Sequence, residues 1–252
     1  MKHILTTIIM MVIMGYTGFA QIITDRPDQT ESSSTVEQGS FQIESGILIG
    51  FTEDAFSSQR QLLAPSTLFR YGLTKGIEIR VVNQFESIKN QTNSIEKSGI
   101  SDLEIGAKIQ LLKKETINTE IAFLSHLVLP TGSKFLSNEN LGTINKISIS
   151  HQLNETLGLG YNLGYDYFGY GNGDLTYSVA LGIAVSNRFS FYLEPYGSIV
   201  NVDTHEANFD AGITYLIHEQ CQIDFSFGTG VNHTMNYLSV GFSINIAKPA
   251  LN

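Results

Sequence analysis

Positively charged residues are scarce in this chain. Fifteen Lys and Arg stand against 24 Asp and Glu in 252 residues, which leaves a formal net charge of −9 at pH 7. Proteins that bind nucleic acid need a surplus of Lys and Arg to neutralise its phosphates. The charge balance therefore excludes nucleic acid as a partner.

Cysteine and proline are also rare. The single cysteine, Cys221, excludes an internal disulfide framework, and we interpret it as a small apolar strand residue. There are only 5 prolines, whereas there are 23 glycines, 11 tyrosines and 15 phenylalanines. This composition suits strands bordered by aromatic girdles.

Only one long apolar run is present, and it lies at the N-terminus. Lys2 and His3 precede an apolar run at residues 4–16, and residues 18–20 (GFA) place small side chains around a cleavage position. The run is shorter than the ~20 apolar residues that a membrane-spanning helix needs. We predict that residues 1–20 are a signal peptide and that the mature protein is exported.

Alternating segments take the place of helices in the rest of the chain. In residues 101–111 (SDLEIGAKIQL) polar and apolar residues alternate without a break, and successive side chains of a strand point to opposite faces. Such segments recur from Phe41 to Ile246, each near the ~9–11 residues of a membrane-crossing strand. We predict about twelve strands, near residues 40–51, 61–71, 77–87, 101–112, 116–129, 143–153, 157–168, 175–186, 189–199, 207–217, 221–231 and 237–247.

The connections predict how these strands assemble. Short turns follow the even-numbered strands and longer polar loops follow several odd-numbered ones, as in outer-membrane barrels with both termini in the periplasm. We therefore predict an all-β fold, an antiparallel up-and-down transmembrane β-barrel over residues 40–252, after a polar lead-in at residues 21–39. The alternative is a soluble sandwich whose apolar faces meet in a core.

The C-terminal strand adds a further indication of location. Ser239, Gly241, Ile244 and Ile246 resemble the C-terminal signal by which outer-membrane barrels reach their assembly machinery. We expect the protein to lie in the cell outer membrane, with outer-membrane lipid and the barrel-assembly machinery as partners.

The predicted inward face is uneven. The first strands contribute bulky and charged side chains, whereas later strands contribute mainly Gly, Ala and Ser. Buried charges need water or partners, so either long side chains fill a narrow barrel or a polar conduit follows the glycine-rich wall. The predicted lumen-lining residues are Glu44, Arg70, Glu78, Arg80, Glu86, Asp102, Glu104, Lys108, Glu120, His126, Asp166, Tyr192, Glu194, Tyr196, Asp210 and Asp224.

The lengths of two turns predict the register of charged pairs on this face. The turn after the second strand sets Arg70 opposite Glu78, and the turn after the fourth sets Lys108 opposite Glu120. The surplus of carboxylates on the same face predicts a path that favours cations or neutral solutes.

The lead-in contains a cation between two acids, in the order Asp25, Arg26, Asp28. This polar segment has no strand or helix periodicity, so it is either disordered or tucked into the mouth of the barrel. We predict that Arg26 contacts inward carboxylates near the periplasmic mouth.

The sequence offers no catalytic or metal site. Ser125 and His126 are adjacent and point to opposite faces of a strand, so they cannot form a nucleophile–base pair. The other histidines of the mature chain lack a metal-ligand spacing. We expect no cofactor, no metal and no enzyme. Two alternatives are an outer-membrane hydrolase of the phospholipase type and a non-transporting structural barrel.

Several short motifs resemble a known family. They are residues 24–28 (TDRPD), Glu31-Ser32, residues 68–81 (LFRYGLTKGIEIRV), 99–112 (GISDLEIGAKIQLL) and 127–132 (LVLPTG). The chain is similar here to bacterial outer-membrane proteins described as transporters of the phenol-degradation (MetA) pathway. The resemblance implies a barrel that passes or binds a small-molecule solute, with a small aromatic compound suggested by the family name.

Overall fold

The computed structural model describes residues 22–54 and 57–247, so the predicted signal peptide lies outside the described residues. The described chain is all-β apart from one short 3-10 turn at Glu115–Ile117. The strands are β1 (Phe41–Glu53), β2 (Ser58–Thr74), β3 (Ile77–Asn90), β4 (Glu96–Ile100), β5 (Leu103–Lys114), β6 (Thr119–Leu129), β7 (Gly142–Gln152), β8 (Leu157–Tyr167), β9 (Asp174–Ala184), β10 (Phe189–Val200), β11 (Thr204–His218), β12 (Cys221–Gly230) and β13 (Thr234–Ile246).

These strands form one closed antiparallel barrel. Neighbours in sequence pair with each other except β4 and β5, which both pair with β3. β1 pairs with β13, and the β2–β3 pairing completes the ring. The short strand β4 pairs with the C-terminal half of β3, whereas β5 pairs with its N-terminal half. β4 and β5 together therefore occupy the place of one strand in the barrel. The prediction of a twelve-strand up-and-down barrel is confirmed. Within residues 22–54 and 57–247, no helix is long and apolar enough to cross a bilayer.

The two faces of the barrel differ as the alternation predicts. In β12, Ile223, Phe225 and Phe227 are exposed on the outside, while Asp224 and Ser226 between them are buried. Most buried side chains in the described barrel are polar or charged, and most exposed large ones are apolar. A soluble sandwich would show the opposite distribution, because its apolar faces would form the core.

Two of the predicted cross-strand pairs are wrong. Arg70 lies opposite Arg80, because β2 continues to Thr74, which pairs with Ile77 across a shorter turn than expected. A bulge between Gly72 and Thr74 then leaves the register two residues away from the expected one. A shift of two preserves the face, so Arg70 and Glu78 remain neighbours along a diagonal.

The second wrong pair lies across β5 and β6. Lys108 is opposite Leu124, and Glu120 is opposite Lys113, because the turn lies later than expected, between Lys114 and Thr119, which pair with each other. A bulge between Gln110 and Leu112 shifts the register by one residue. Lys108 instead faces Glu78 across β3 and β5.

The tight turns that follow β2, β5, β7, β9 and β11 all lie at one end of the barrel, which we call the short-turn end. The opposite end carries the remaining connections and is called the long-loop end. Strand β1 begins at the short-turn end, so the lead-in enters the barrel there.

Candidate functional site

The lead-in lies inside the barrel over its described length, residues 22–39. Asp25, Thr30 and Ser33 have at most 8% of their surface exposed. At its C-terminal end, Gly39 donates its backbone N–H to Gly72 of β2 at 2.7 Å. A Cβ at Gly72 would collide with the backbone of the lead-in, so this close approach requires glycine.

The carboxylate of Asp25 is the centre of the first anchor. It lies 2.5 Å from Arg80 Nη1, 2.9 Å from Lys108 Nζ and 3.5 Å from Arg70 Nη1. These three side chains, at most 1% exposed, are called the basic cluster. The backbone N–H of Ser32 also donates to Asp25 Oδ1 at 2.7 Å, so the lead-in folds back around its own carboxylate.

Two barrel carboxylates complete the network around the basic cluster. Glu44 lies 2.8 Å from Arg70 Nη1, and Glu78 lies 2.9 Å from Arg70 Nε and 2.8 Å from Arg80 Nη1. Glu31 of the lead-in adds a contact of 2.7 Å with Arg80 Nη2. Because these ions are buried, each needs its partners to offset lost hydration.

The two lead-in acids experience opposite electrostatic environments. Burial opposes ionisation of Asp25, but Arg70, Lys108 and Arg80 outweigh it and hold the pKa of Asp25 well below its usual range. Burial and the neighbouring charge of Glu194 raise the pKa of Asp28 well above its usual range. Asp25 is therefore the ionised anchor, whereas Asp28 favours its neutral form.

Arg26 forms the second anchor on the opposite side of the lumen. Its Nη2 lies 3.0 Å from Asp224 Oδ1 and donates to Ser239 Oγ at 3.0 Å. The predicted contact of Arg26 with an inward carboxylate is therefore present. Its guanidinium rests on Gly46 and Gly241, where a Cβ would be closer than van der Waals contact.

The close contact between Arg26 and these two glycines leads to a prediction. Gly241→Ala is expected to displace the Arg26 guanidinium from its contact with Asp224 and Ser239. The displacement should accelerate hydrogen exchange of the lead-in amides and increase single-channel conductance. Gly50→Ala is the matched control, because a Cβ there meets its nearest neighbour at an ordinary 3.6 Å. Equal exchange and conductance in the two variants would contradict this role of Gly241. Hydrogen exchange with mass spectrometry and planar-bilayer recording make the comparison.

A third anchor forms at Glu194 of β10. Its carboxylate accepts the backbone N–H of Gln29 at 2.7 Å and the hydroxyl of Thr30 at 2.5 Å. Glu194 lies opposite Asp210 on β11, and Tyr237 donates to Asp210 Oδ2. Within the described part of the chain, neither carboxylate forms an ion pair, in contrast to the acids at the basic cluster.

Further hydrogen bonds involve residues that the sequence did not single out as site residues. Asn162 exchanges two hydrogen bonds with the backbone of Glu31, at 2.7 and 3.0 Å, and Ser33 pairs with Ser150 of β7. Alternation puts Asn162 and Ser150 on the inward face. Their partners lie in a segment without periodicity, so no sequence pattern predicts these contacts.

The other predicted positions lie farther from the anchors. Glu104 contacts His126 at 2.8 Å, and His126 Nε2 accepts a hydrogen bond from Arg80 at 3.0 Å. Glu120 accepts the hydroxyl of Ser34 and pairs with Lys113 at 2.7 Å, so it also contacts the lead-in.

Two predicted acids lie toward the long-loop end. Glu86 accepts a hydrogen bond from Ser101 at 2.8 Å. Asp102 accepts the backbone N–H groups of Gly132 and Asn138, both at 2.8 Å, and so stabilises the loop between β6 and β7.

The remaining predicted residues lie on the wall that is poor in charged pairs. Asp166 and Tyr192 each have a buried oxygen without a hydrogen-bond partner among the described residues. Tyr192 is 6% exposed, and Tyr196 lies opposite Ser178 and Asn208. This wall therefore offers polar groups that the protein itself leaves unsatisfied.

A cavity of about 620 Å³ lies between the lead-in and this wall. It opens at the short-turn end, and small residues of β8 and β9, such as Gly158, Gly160 and Gly182, form part of its lining. The lead-in residues Thr24, Arg26 and Ser32 border it on the other side, hence the lead-in narrows the lumen without filling it. The described residues contain no group of three or more His, Cys, Asp or Glu that could hold a metal ion.

Comparisons with known proteins agree with this architecture. The model of a family described as “Putative MetA-pathway of phenol degradation” matches residues 24–247. The chain is similar to the COG4313 outer membrane channel from Pseudomonas putida F1, with a TM-score of 0.73, 11% identity, and coverage of 85% of this chain and 98% of that one. A comparison with curated proteins gave no match.

Two further solved structures share the fold. The KdgM porin in complex with disordered oligogalacturonate has a TM-score of 0.56 at 10% identity, covering 81% of this chain and 98% of that one. The Ralstonia pickettii toluene transporter TbuX has a TM-score of 0.50 at 8% identity, covering 86% and 92%. At these identities the likeness shows the barrel fold alone.

Proposed function

Since the chain belongs to the MetA phenol-degradation family, we propose that it is an outer-membrane channel for small solutes. The observation that carries the proposal is a closed barrel with an apolar outside, a polar inside and a cavity of about 620 Å³ open at the short-turn end. An exposed apolar belt on a closed barrel suits lipid. Because short turns face the periplasm in outer-membrane barrels, we assign the short-turn end to the periplasm. The protein is not an enzyme in this proposal.

The wall that borders the cavity determines which solutes pass while the lead-in is seated. The basic cluster is occupied by Asp25 and its neighbours, whereas Glu194 and Asp210 have no cationic partner among the described residues. Glu194 accepts the hydroxyl of the cavity residue Thr30, and Asp210 lies opposite Glu194, so this acidic pair is buried next to the cavity. Acids beside a narrow polar path attract cations and repel anions. The seated channel therefore favours cations and neutral solutes.

A small neutral aromatic compound is the solute that this wall suits best. Tyr192 lines the cavity, and Tyr196, two inward positions farther along β10, adds aromatic surface to the same wall beside Glu194. The name of the family supports this class of solute.

Electrical recording and liposome swelling test the proposal together. In a KCl gradient the purified barrel is expected to give a reversal potential of the sign that cation preference produces. Proteoliposomes should swell faster in a neutral phenol-sized solute than in a phosphorylated solute of similar size. Anion preference would refute the charge argument, and a lack of both conductance and swelling would favour the non-transporting structural barrel.

A further inference from the structure

The basic cluster is not neutralised by the barrel alone. Arg70, Arg80 and Lys108 carry three positive charges, and within the described barrel two carboxylates, Glu44 and Glu78, lie within ion-pair distance of them. Three cations against two anions leave one positive charge. The lead-in adds Asp25 and Glu31, which bring the count to four carboxylates against three cations.

The geometry of the cluster is that of a binding site for one carboxylate. Three cationic side chains from the rigid strands β2, β3 and β5 converge on the two oxygens of Asp25, with contacts of 2.5, 2.9 and 3.5 Å. Charge-assisted hydrogen bonds of this kind are strong and directional. An unpaired buried cation is strongly unfavourable, so the cluster requires an anion whenever Asp25 leaves.

The cavity gives a solute access to the segment that carries Asp25. Thr24 and Arg26, the residues on either side of Asp25, line the cavity, as does Ser32, whose N–H donates to the Asp25 carboxylate. A small molecule that enters from the short-turn end therefore meets the part of the lead-in that holds Asp25 in place.

We propose that the basic cluster is a binding site for small organic carboxylates, which Asp25 occupies as an internal competitor. A carboxylate that takes the place of Asp25 releases the lead-in, because it matches the three cations of the cluster together with Glu44 and Glu78. The inference rests on the proposed function for the route by which the ligand arrives, but binding itself does not require conduction.

Benzoate binding to the full-length barrel in detergent tests the proposal by calorimetry. Asp25→Asn removes the competing charge and keeps the side-chain size, so benzoate should bind about tenfold more tightly than to wild type, within the usual range of coupled binding. Asp203→Asn, an exposed loop change, should leave benzoate affinity as in wild type. Benzyl alcohol, which has the same ring without the charge, should not distinguish the variants. Adding Lys108→Gln to Asp25→Asn should abolish the gain.

Hydrogen exchange of the wild-type protein tests the same proposal without a substitution that could destabilise the barrel. Benzoate should accelerate hydrogen exchange in the peptide covering residues 22–40, whereas chloride at equal ionic strength and benzyl alcohol should not. Equal effects of benzoate and chloride would show charge screening and overturn the proposal, as would an unchanged benzoate affinity in a folded Asp25→Asn barrel. A barrel that binds benzoate as predicted yet neither conducts nor swells liposomes would refute the proposed function and leave this inference intact.

Discussion

Deleting residues 22–37 is expected to raise the single-channel conductance several-fold. The deleted segment lies in the lumen and crosses it between the basic cluster and Asp224, so its removal widens the path. The deletion retains Gln38 and Gly39, which pair with Gly72 at the entrance. Planar-bilayer recording of the refolded barrel gives the measurement, and an unchanged conductance would show that the lead-in does not limit ion flow.

A locked variant provides the control for this deletion. The hydroxyl oxygens of Thr30 and Ser178 lie 2.7 Å apart, so paired cysteines at these positions can tie the lead-in to β9. Cys221→Ser removes the native thiol from the same chain. The oxidised variant should keep the low conductance of the wild type under any condition that releases the lead-in, and reduction should restore the wild-type response.

Replacing Arg70 is expected to produce the largest loss of stability. Its guanidinium contacts Glu44, Glu78 and Asp25 and is 1% exposed. Arg70→Met removes the charge at similar length and leaves buried carboxylates without their partner, which typically costs about 3–5 kcal/mol. Urea unfolding in lipid vesicles measures the change in the free energy of unfolding.

Arg60→Met is the matched control for this replacement. Arg60 pairs with Glu96 at 3.6 Å near the long-loop end, and both side chains are about a third exposed or more. Exposed ion pairs contribute at most about 1 kcal/mol, because water screens the charges. Similar losses of stability in Arg60→Met and Arg70→Met would contradict a special role for the buried network.

The barrel itself was predictable from the sequence because its cause is local. Each strand needs one apolar face for the outside and one polar face for the inside, and this requirement is written as period-two alternation in every strand. The segment after β3 is the exception. Residues 88–100 were interpreted as a polar loop, but the structure extends β3 to Asn90 and adds β4, because strands continue beyond the apolar belt.

The register of the charged pairs was not predictable, because the exact position of each turn and the bulges beside it set the register without a clear sequence signal. In β5 and β6, the position of the turn places Lys113 opposite Glu120, and a bulge in β5 shifts the pairing of Lys108. Such shifts change which residues lie opposite each other, but Arg70, Arg80 and Lys108 still point inward. The alternation therefore identifies Arg70, Arg80 and Lys108 as inward residues and cannot reveal that they converge on Asp25.

The contacts between the lead-in and the barrel wall could not be predicted from the sequence for a different reason. Its contacts join residues that are far apart in the chain, such as Arg26 with Asp224 and Ser239, across 198 and 213 positions. The charges of Asp25 and Arg26 made them candidates, but their partners depend on closure of the barrel. Thr30 and Ser33 carry no charge and gave no signal at all.

These long separations also determine the order of biogenesis. The lead-in precedes β1 and therefore leaves the ribosome ahead of the barrel, yet its anchors on β1, β3, β10 and β12 become neighbours only when the ring has closed. The lead-in is thus made before the barrel and reaches its native place after it. The lead-in can therefore reach its position in the lumen only after β13 has paired with β1.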